Sequence, residues 1–405
     1  GSSPQRVSQR SFLMLTQEKE LNGLKVIFFL FGLSIMSWVP RFPEVKAHVK
    51  LSNGEFGSLI SVGAIGNAVA LLTVGHLVHK YGAKLMMQVS SVALAISIIT
   101  LTNTSSSFIF LVFIIVQGAG ISAFHISINS QGFNFQDRSK KQVITLLSGY
   151  WSSGALITSV IAGVLVDLVP IEIHIAIVAI FCLVVMLWII NSMTPNLLRP
   201  NENPESNLKL SETFRGFNFD ILVTGGLLCA IMLEFAISDW SAIYIKEDME
   251  ILSGIHTLPF ILFTLTMIIG RLNFHRLLPR YSMQQLTKVA SLSSGVSFLI
   301  GIAAVNVIGT KNQFLTIVIL SITFTCAGFG SSFLGPSIMN AANSRSRFPA
   351  SVVIGQIGVI NICLVFLMRW VIAWTAEATS LSIALCIPAI MLLAVPYFSR
   401  IFKSA

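Results

Sequence analysis

The sequence TPNLLRPNENPESNLKLSETFRGFNF, residues 194–219, is the longest polar stretch of the chain and separates two long apolar regions. It holds three prolines, several asparagines and charges of both signs, a composition typical of a loop. On both sides the chain consists of apolar runs of about 20 residues, the length that crosses the hydrocarbon core of a bilayer. The sequence therefore predicts an all-α polytopic membrane protein whose two halves are joined by this linker.

The composition agrees with a membrane protein and excludes other classes. Of the 405 residues, 54% are hydrophobic and only 11% are charged, whereas a soluble domain carries about 25% charged residues. An ordinary globular enzyme, a disordered chain and a nucleic-acid-binding protein are therefore excluded, despite the net charge of +9. The five cysteines lie inside apolar runs without the short spacing of a zinc site or disulfide framework.

Apolar runs between polar breaks predict twelve membrane spans, and the short gaps near Pro170 and Glu377 leave eleven or ten as alternatives. The linker divides these spans six and six. We therefore expect two pseudo-symmetric six-helix bundles, residues 1–193 and 220–405, with residues 194–219 as a cytoplasmic linker. The predicted spans are 24–41, 56–78, 84–102, 107–134, 142–168, 172–193, 220–245, 253–274, 285–308, 314–341, 350–375 and 379–401.

The positive charges favour one orientation in the membrane. With the N-terminus inside the cell, 20 of the 26 Lys and Arg residues fall in cytoplasmic segments. Cytoplasmic loops usually carry such an excess. We therefore expect both termini in the cytoplasm and a location in the plasma (inner) membrane.

Short motifs recur at equivalent positions in the two halves. The sequence GHLVHKYG at 75–82 closes span two, and GRLNFHR at 270–276 closes span eight. Gly-Ala-Gly at 118–120 in span four is matched by Gly-Phe-Gly at 328–330 in span ten. Such repetition indicates an internal duplication.

With twelve spans, a central loop and paired basic motifs after spans two and eight, the chain resembles the major facilitator superfamily of transporters. The motif of that family after span two has the form Gly-x-x-x-Asp-Arg-x-Gly-Arg-Arg. Gly75, Lys80, Gly82 and Lys84 match it, but His79 stands at the acidic position.

The second copy of the motif departs from the family in the same way, because His275 replaces the acid. The resemblance implies that this acid helps to lock the two halves together on the cytoplasmic side. Either that lock is lost in this chain, or histidine protonation modulates it. The predicted gating residues are His79, Lys80, Arg271, His275 and Arg276.

A finer resemblance is to the fucose permease-like branch of this family. It rests on SWVPRFP at 37–43, LSNGEFG at 51–57, EFAISDWSAIY at 234–244 and HISIN at 125–129. Relatives commonly carry an acid in place of His125. The resemblance implies a proton-coupled carrier of a sugar or another small solute.

Ionisable side chains inside a span are costly, so each needs a partner, a cavity or a function. Four stand out in this chain: His125, Glu234, Asp239 and Arg369. Glu234 lies about 14 residues into span seven, roughly 21 Å deep and near the middle of the membrane. It either couples a proton to transport or contacts the substrate, or it is a neutral acid hydrogen-bonded between helices.

Asp239 lies one and a half turns beyond Glu234 and is rotated by roughly 140° from it. We expect Asp239 to act at an outer gate or in helix pairing, with a second proton site as the alternative. Arg369 is a candidate partner, although its long side chain can equally extend to the membrane surface.

His125 forms a polar stripe on span four together with Ser122 and Asn129. Imidazole titrates near neutral pH and therefore suits proton exchange. A role in the cavity and a role in packing are both open for His125. The predicted proton-coupling residues are Glu234, His125 and Asp239.

The family resemblance implies that spans one, four, seven and ten line a central cavity. Aromatic faces beside hydroxyls, amides and a carboxylate suit a polyhydroxylated solute. Trp38 is either a contact of that solute or an anchor at the membrane surface, where tryptophan is enriched. The predicted substrate-binding residues are Trp38, Ser122, His125, Asn129, Tyr150, Trp151, Glu234, Ser238, Ser241, Gln356 and Asn361.

The sequence contains no phosphate-binding loop, metal-spaced cluster or nucleophile elbow, so we expect no enzyme. We expect no cofactor and no nucleic-acid partner, with a proton as the coupling ion. The leading hypothesis is a monomeric proton-coupled symporter of a small polar solute in the lipid bilayer. Efflux of a metabolite or drug by proton antiport, and a membrane receptor or scaffold without transport, are the alternatives.

Overall fold

The computed structural model of the chain describes residues 4–140, 143–200, 220–252, 254–345 and 350–404. Within these ranges the chain is almost entirely helical and holds no β-strand. Its helices are α1 (Pro4–Met36), α2 (Phe42–Val49), α3 (Asn53–Asn103), α4 (Ser107–Ser139), α5 (Ile144–Leu165), α6 (Ile171–Ser192), α7 (Ile221–Ile243), α8 (Leu258–Asn273), α9 (Met283–Ile308), α10 (Gln313–Ser331), α11 (Leu334–Arg345), α12 (Ala350–Ala378) and α13 (Leu381–Phe398).

The helices follow the predicted spans. Nine segments of the described chain are long and apolar enough to cross a membrane, and two of them, of 51 and 57 residues, have room for two crossings each. Helix α5 is a further apolar helix of 22 residues. Spans two and three both lie in α3, and α10 with α11 forms span ten. The predicted all-α fold is confirmed, and its helices are consistent with twelve crossings in two six-helix bundles.

Span one ends earlier than predicted. The prediction extended it to residue 41, whereas α1 ends at Met36 and a 3₁₀ turn, Val39–Arg41, leads into α2. Pro40 explains the difference, because proline has no backbone N–H to donate to the carbonyl of Met36. Trp38 therefore lies in the bend that follows the helix.

Helix α3 changes direction at Gly82, whose φ is +82°. Side chains rarely tolerate this conformation, and glycine adopts it freely. The turn allows the N–H of Ala83 to donate to the carbonyl of Leu198, at the start of the linker, over 3.0 Å. The N–H of Leu198 donates in turn to the side-chain carbonyl of Gln131 over 2.9 Å. The first residues of the linker are thus held against the first half of the chain.

The bundle has two ends, which we name by the connections they carry. The linker face is the end at which α6 ends and α7 begins, and the far face is the end at which α5 is joined to α6 and α12 to α13. The two halves pack together through α3 with α12 and through α5 with α8. These two helix–helix contacts are equivalent under the duplication. One joins span two to span eleven and the other joins span eight to span five, and span two corresponds to span eight as span five does to span eleven. An ion pair of Lys46 with Glu247, at 2.5 Å, also joins the halves at the far face.

At the far face, each of these two helix–helix contacts includes a carboxylate that accepts a hydrogen bond from the start of a helix in the other half. The side chain of Glu377, at the end of α12, accepts a hydrogen bond from the N–H of Gly54 in the first turn of α3 over 3.1 Å. The side chain of Asp167, just after α5, accepts one from the N–H of Gly254 over 2.6 Å, in the 3₁₀ turn that leads into α8. Negative charge is favourable at a helix N-terminus. We call these two contacts the far-face clasps.

Aromatic packing closes the same face. The rings of Trp38, Phe42, Phe56 and Trp240 form a chain of edge-to-face contacts from the first half to the second, with successive centroids 4.9, 5.7 and 6.4 Å apart. All four rings belong to a buried apolar cluster that continues through both halves. The far face is therefore sealed by apolar packing as well as by polar contacts.

Candidate functional site in the central cavity

Helix α7 carries the acidic side chain that the sequence places near the middle of the membrane. It begins at Ile221, after Asp220, whose side chain accepts hydrogen bonds from N–H groups of the first turn. Glu234 lies about 20 Å further along the helix axis. Ser238 follows one turn later on the same face, and its hydroxyl donates to the carbonyl of Glu234 over 2.9 Å.

Arg271, on α8, faces Glu234. Its Nη2 lies 3.3 and 3.4 Å from the two carboxylate oxygens, and each of the two side chains is 36% exposed. Such a long, solvated pair is weak compared with a buried bidentate one. The structure thus gives Glu234 a cation as its partner, and the choice between proton coupling and a neutral acid hydrogen-bonded between helices stays a prediction.

A proline in span ten accounts for the position of Arg271. In a continuous helix the carbonyl of Ser332 would accept a hydrogen bond from the N–H of residue 336, but Pro336 has none. Span ten accordingly breaks between α10 and α11, and Nε of Arg271 donates to the Ser332 carbonyl over 2.9 Å. The prediction of one helix over 314–341 is wrong in this detail, and Pro336 was the signal for the break.

Glu234, Ser238 and Arg271 line a small cavity of about 50 Å³ between α1, α5, α7 and α8. Helix α1 contributes Met36 and α5 contributes Trp151, so both halves form its wall. A wall of aromatic, hydroxyl and charged groups suits a small polar ligand with an apolar face. The other lining residues are Ser152, Ala155, Ser159, Phe260, Phe263, Thr264, Met267 and Ile268.

The cavity gathers only part of the predicted site. Trp151, Glu234 and Ser238 are the predicted substrate residues that line it. Arg271 was predicted as a gating residue of the linker-face motif; the structure places it in the cavity wall, and its gating role stays a prediction. The sequence carried a signal for this position, because Arg271 lies three residues inside the predicted end of span eight and an ionisable group within a span needs a partner.

Asp239 and Arg369 form an ion pair within the second half. Nε of Arg369 lies 2.5 Å from Oδ2 of Asp239, and Nη2 donates to Oδ1. The side chains are 7% and 19% exposed, and the guanidinium carbon lies 5.5 Å from the ring centroid of Phe235. The pair joins α7 to α12 and is not part of the cavity wall. A proton-coupling role for Asp239 stays a prediction.

The polar stripe of α4 also lies outside this wall. The hydroxyl of Ser122 donates to the side-chain carbonyl of Asn67 on α3 over 3.1 Å. The side-chain amide of Asn129 donates to the backbone carbonyl of His125 over 2.8 Å. His125 is exposed, and its ring centroid lies 6.3 Å from that of Phe31. The cavity does not bring this stripe together with Glu234, so the roles of these residues stay predictions.

Three predicted substrate residues are buried between helices. Trp38, Ser241 and Asn361 are 4%, 2% and 7% exposed, and none of them lines the cavity in this conformation. Tyr150 is exposed beside the cavity residue Trp151. The side chain of Gln356 lies outside the described residues. Contact of these five residues with a solute stays a prediction.

The predicted gating motifs lie at the linker face, with the exception of Arg271. Lys80 places its Nζ 5.1 Å from the ring centroid of Tyr81, and Arg276 is exposed. Nδ1 of His79 is buried and has no hydrogen-bond partner in the described part of the chain. The side chain of His275 lies outside the described residues. The predicted effect of histidine at the two acidic positions is therefore still a prediction.

A helical bundle of two related halves around a charged central cavity is the architecture of a secondary transporter. Residues 25–368 match the profile of the Major Facilitator Superfamily, and the chain belongs to this family. The family consists of transporters and is not a class of enzymes. The chain is therefore an integral membrane protein of a family that carries small-molecule substrates.

Relatives and solved structures agree with this assignment. The chain is 24% identical over 380 residues to an uncharacterised MFS-type transporter of Yersinia pestis, covering 93% of this chain and 94% of that protein. It is 24% identical over 250 residues to the membrane protein MosC of Rhizobium meliloti, covering 62% and 60% of the two chains. Its fold is similar to the crystal structure of the nucleoside transporter NupG, with a TM-score of 0.75, 14% identity and coverage of 95% and 99%. It is also similar to a D-xylose-proton symporter, with a TM-score of 0.70, 12% identity and coverage of 95% and 97%.

Proposed function

We propose that this chain is a proton-coupled symporter that imports a small polar solute, such as a sugar or a related metabolite, by alternating access. The observation that carries the proposal is the ion pair of Glu234 with Arg271 in the wall of the central cavity. A carboxylate inside the membrane, open to the cavity and paired with a fixed cation, is a group whose protonation changes the charge of the binding site. Proton binding and solute binding then act on one another within the same cavity.

The far-face clasps support a role in alternating access. They join the halves at the far face, through Glu377 to Gly54 and Asp167 to Gly254. Rocking of one bundle against the other would break these contacts and move the cavity to the other side of the membrane. The conformation described here is then the one closed at the far face.

The finer assignments belong to the same proposal. The fucose permease-like motifs and the similarity in fold to a nucleoside transporter and a D-xylose-proton symporter favour a sugar-like solute. The excess of Lys and Arg at the linker face favours an inner-membrane location with both termini in the cytoplasm. We propose a monomer with bundles at residues 1–193 and 220–405 around the linker.

The test is solute uptake into right-side-out membrane vesicles under an inward proton gradient. Radiolabelled sugars, nucleosides and related metabolites are compared in wild type, Glu234→Gln and Glu18→Gln, the last being the same change at an exposed carboxyl on the linker face. We expect gradient-driven accumulation in wild type and Glu18→Gln, and equilibration without accumulation in Glu234→Gln. Undiminished accumulation in Glu234→Gln would contradict proton coupling at this residue. Extrusion of the solute driven by the proton gradient would contradict symport and indicate antiport.

A further inference from the structure

Arg271 is a cation in the cavity wall whose position is fixed and whose hydrogen-bond donors are only partly occupied. Its Nε is anchored on the carbonyl that Pro336 leaves free, and its Nη2 meets the carboxylate of Glu234 at 3.3 Å or more. In the described part of the chain, Nη1 has no hydrogen-bond partner. A guanidinium presents a planar set of donors that matches a carboxylate and stays charged at every physiological pH. Arg271 can therefore accept a second carboxylate without changing its own position.

The charges around Glu234 favour such an exchange. The groups that face it are Arg271 from α8, Met36 from α1 and Trp151 from α5, so Arg271 is the cation opposite it among the described lining residues. Lys25 lies on α1 about 16 Å nearer the linker face than the cavity residue Met36, with Nζ 5.8 Å from the ring centroid of Tyr150. Positive charge along a cavity raises the local concentration of anions.

We propose that the transported solute carries a carboxylate, and that this carboxylate binds Arg271 in place of Glu234 once Glu234 is protonated. The proposal rests on the proposed symport and names its substrate class. With Glu234 ionised and no solute, the pair of Glu234 and Arg271 is neutral. With Glu234 protonated and the solute bound to Arg271, the site is neutral again. The proton alone or the solute alone leaves an uncompensated charge inside the membrane, which is costly.

This difference in charge between the four states makes the coupling obligatory. Only the two neutral states, with both proton and solute bound or with neither bound, convert easily between the form open to one side of the membrane and the form open to the other. One proton and one carboxylate move together, so each cycle carries no net charge. The other residues of the cavity wall indicate the chemistry of the remainder of the solute. Trp151 and Phe260 offer apolar faces, and Ser152, Ser238 and Thr264 offer hydroxyl groups. The substrate class is therefore a small hydroxylated organic acid.

The first test asks whether Arg271 accepts a carboxylate from solution. Purified Glu234→Ala removes the internal carboxylate, and its thermal unfolding in detergent is followed against sodium acetate, with acetamide as the uncharged analogue of equal size. We expect a saturable rise in Tm with acetate, none with acetamide, and none with either in Glu234→Ala/Arg271→Gln. An equal response to acetamide, or no response to acetate, would overturn the inference.

A variant that is not recovered from membranes leaves a second route. Glu234→Gln, which keeps the shape of the protonated acid, then replaces it, and acetate is expected to raise Tm in Glu234→Gln but not in wild type at pH 7, with no effect in Glu234→Gln/Arg271→Gln. The same rise in wild type, or its persistence in Glu234→Gln/Arg271→Gln, would contradict competition with Glu234.

Transport separates this inference from the proposed function. Uptake of D-gluconate and D-glucuronate is compared with that of their neutral counterparts, D-glucitol and D-glucose. We expect proton-driven uptake of an acid, loss of that uptake in Arg271→Gln, and no uptake of the matched neutral compound. Proton-driven uptake of a neutral compound that survives in Arg271→Gln would support the proposed symport. It would contradict the inference that a carboxylate of the solute binds Arg271.

Discussion

Asp239 and Arg369 are two charged side chains that the membrane interior tolerates only together. Replacing Asp239 by Asn leaves the guanidinium, 19% exposed, without its counter-charge. Breaking a buried pair from one side costs about 3–5 kcal/mol. We expect Asp239→Asn to lower the free energy of unfolding by about 3 kcal/mol, measured by thermal unfolding in detergent.

Two further variants test whether the unpaired charge causes the loss of stability in Asp239→Asn. The double variant Asp239→Leu/Arg369→Met removes both charges and keeps the volume, so it should recover most of the lost stability. Glu172→Gln breaks the exposed pair with His48, at 3.2 Å, and should cost about 1 kcal/mol or less. Equal losses in Asp239→Asn and Glu172→Gln would mean that the Asp239 pair is no better protected from solvent than a surface pair.

The sequence predicted single residues better than it predicted their partners. The position of Glu234 along its helix follows from its place in an apolar run, and α7 begins within one residue of the predicted start. Its contact with Arg271 depends on how α7 packs against α8 and on a carbonyl released by Pro336, and neither follows from the spacing of one helix. Arg369 was named as a candidate partner of Asp239 because both residues lie in the outer parts of their spans, which does not by itself bring the two side chains together.

The crossing of α1 and α5 depends on glycines at which two backbones touch. A Cβ at Gly154 would lie 2.0 Å from the carbonyl oxygen of Phe29, a backbone atom that cannot move aside alone. Overpacking of this kind typically costs about 1–3 kcal/mol. We expect Gly154→Ala to lower Tm and to reduce the amount of protein recovered from membranes.

Gly149 is the matched control in the same helix, because a Cβ there would have no atom within 4 Å. Alanine at that position should leave stability unchanged or raise it by about 0.4–1 kcal/mol, since alanine restricts the unfolded chain. Both variants are compared by thermal unfolding in one detergent. A loss in Gly149→Ala as large as that in Gly154→Ala would show that the helix rejects alanine in general and that the close approach is not the cause.

Whole elements were predictable to the extent that apolar length defines them. Every predicted span lies on a helix of the described chain, because a membrane helix satisfies its own backbone hydrogen bonds. The prediction failed where a proline removes one such bond, at Pro40 at the end of span one and at Pro336 within span ten. Both prolines were visible in the sequence, but the apolar residues around them extended the predicted spans.

At the scale of the whole molecule, the far-face clasps are two copies of one device. Asp167 follows span five and binds the turn before α8, while Glu377 ends span eleven and binds the first turn of α3. The duplication exchanges these two crossings, so each half supplies one carboxylate and one helix start. We infer that both clasps open together when the bundles rock. The sequence indicated the duplication but not the clasps, because each joins residues from different halves.

Neutralising both carboxylates should therefore shift the balance between the closed and open far face. Both side chains are exposed, so each charge contributes about 0.5–1 kcal/mol to the closed state. Asp167→Asn/Glu377→Gln should then raise the ratio of open to closed molecules about 5- to 30-fold. Spin labels at residues 105 and 311 report the far face, and labels at 137 and 280 report the linker face, in protein whose native cysteines are replaced.

The expected result is a longer distance between labels 105 and 311 and a shorter one between labels 137 and 280, because rocking opens one face as it closes the other. Glu172→Gln removes a far-face carboxylate whose ion contact, among the residues that the structure describes, is with His48 of its own half, and it should leave both distances unchanged. Each single variant should give an intermediate population if the clasps act additively. A widening at the far face without narrowing at the linker face would mean local fraying, and the clasps would then stabilise that face without controlling the transition.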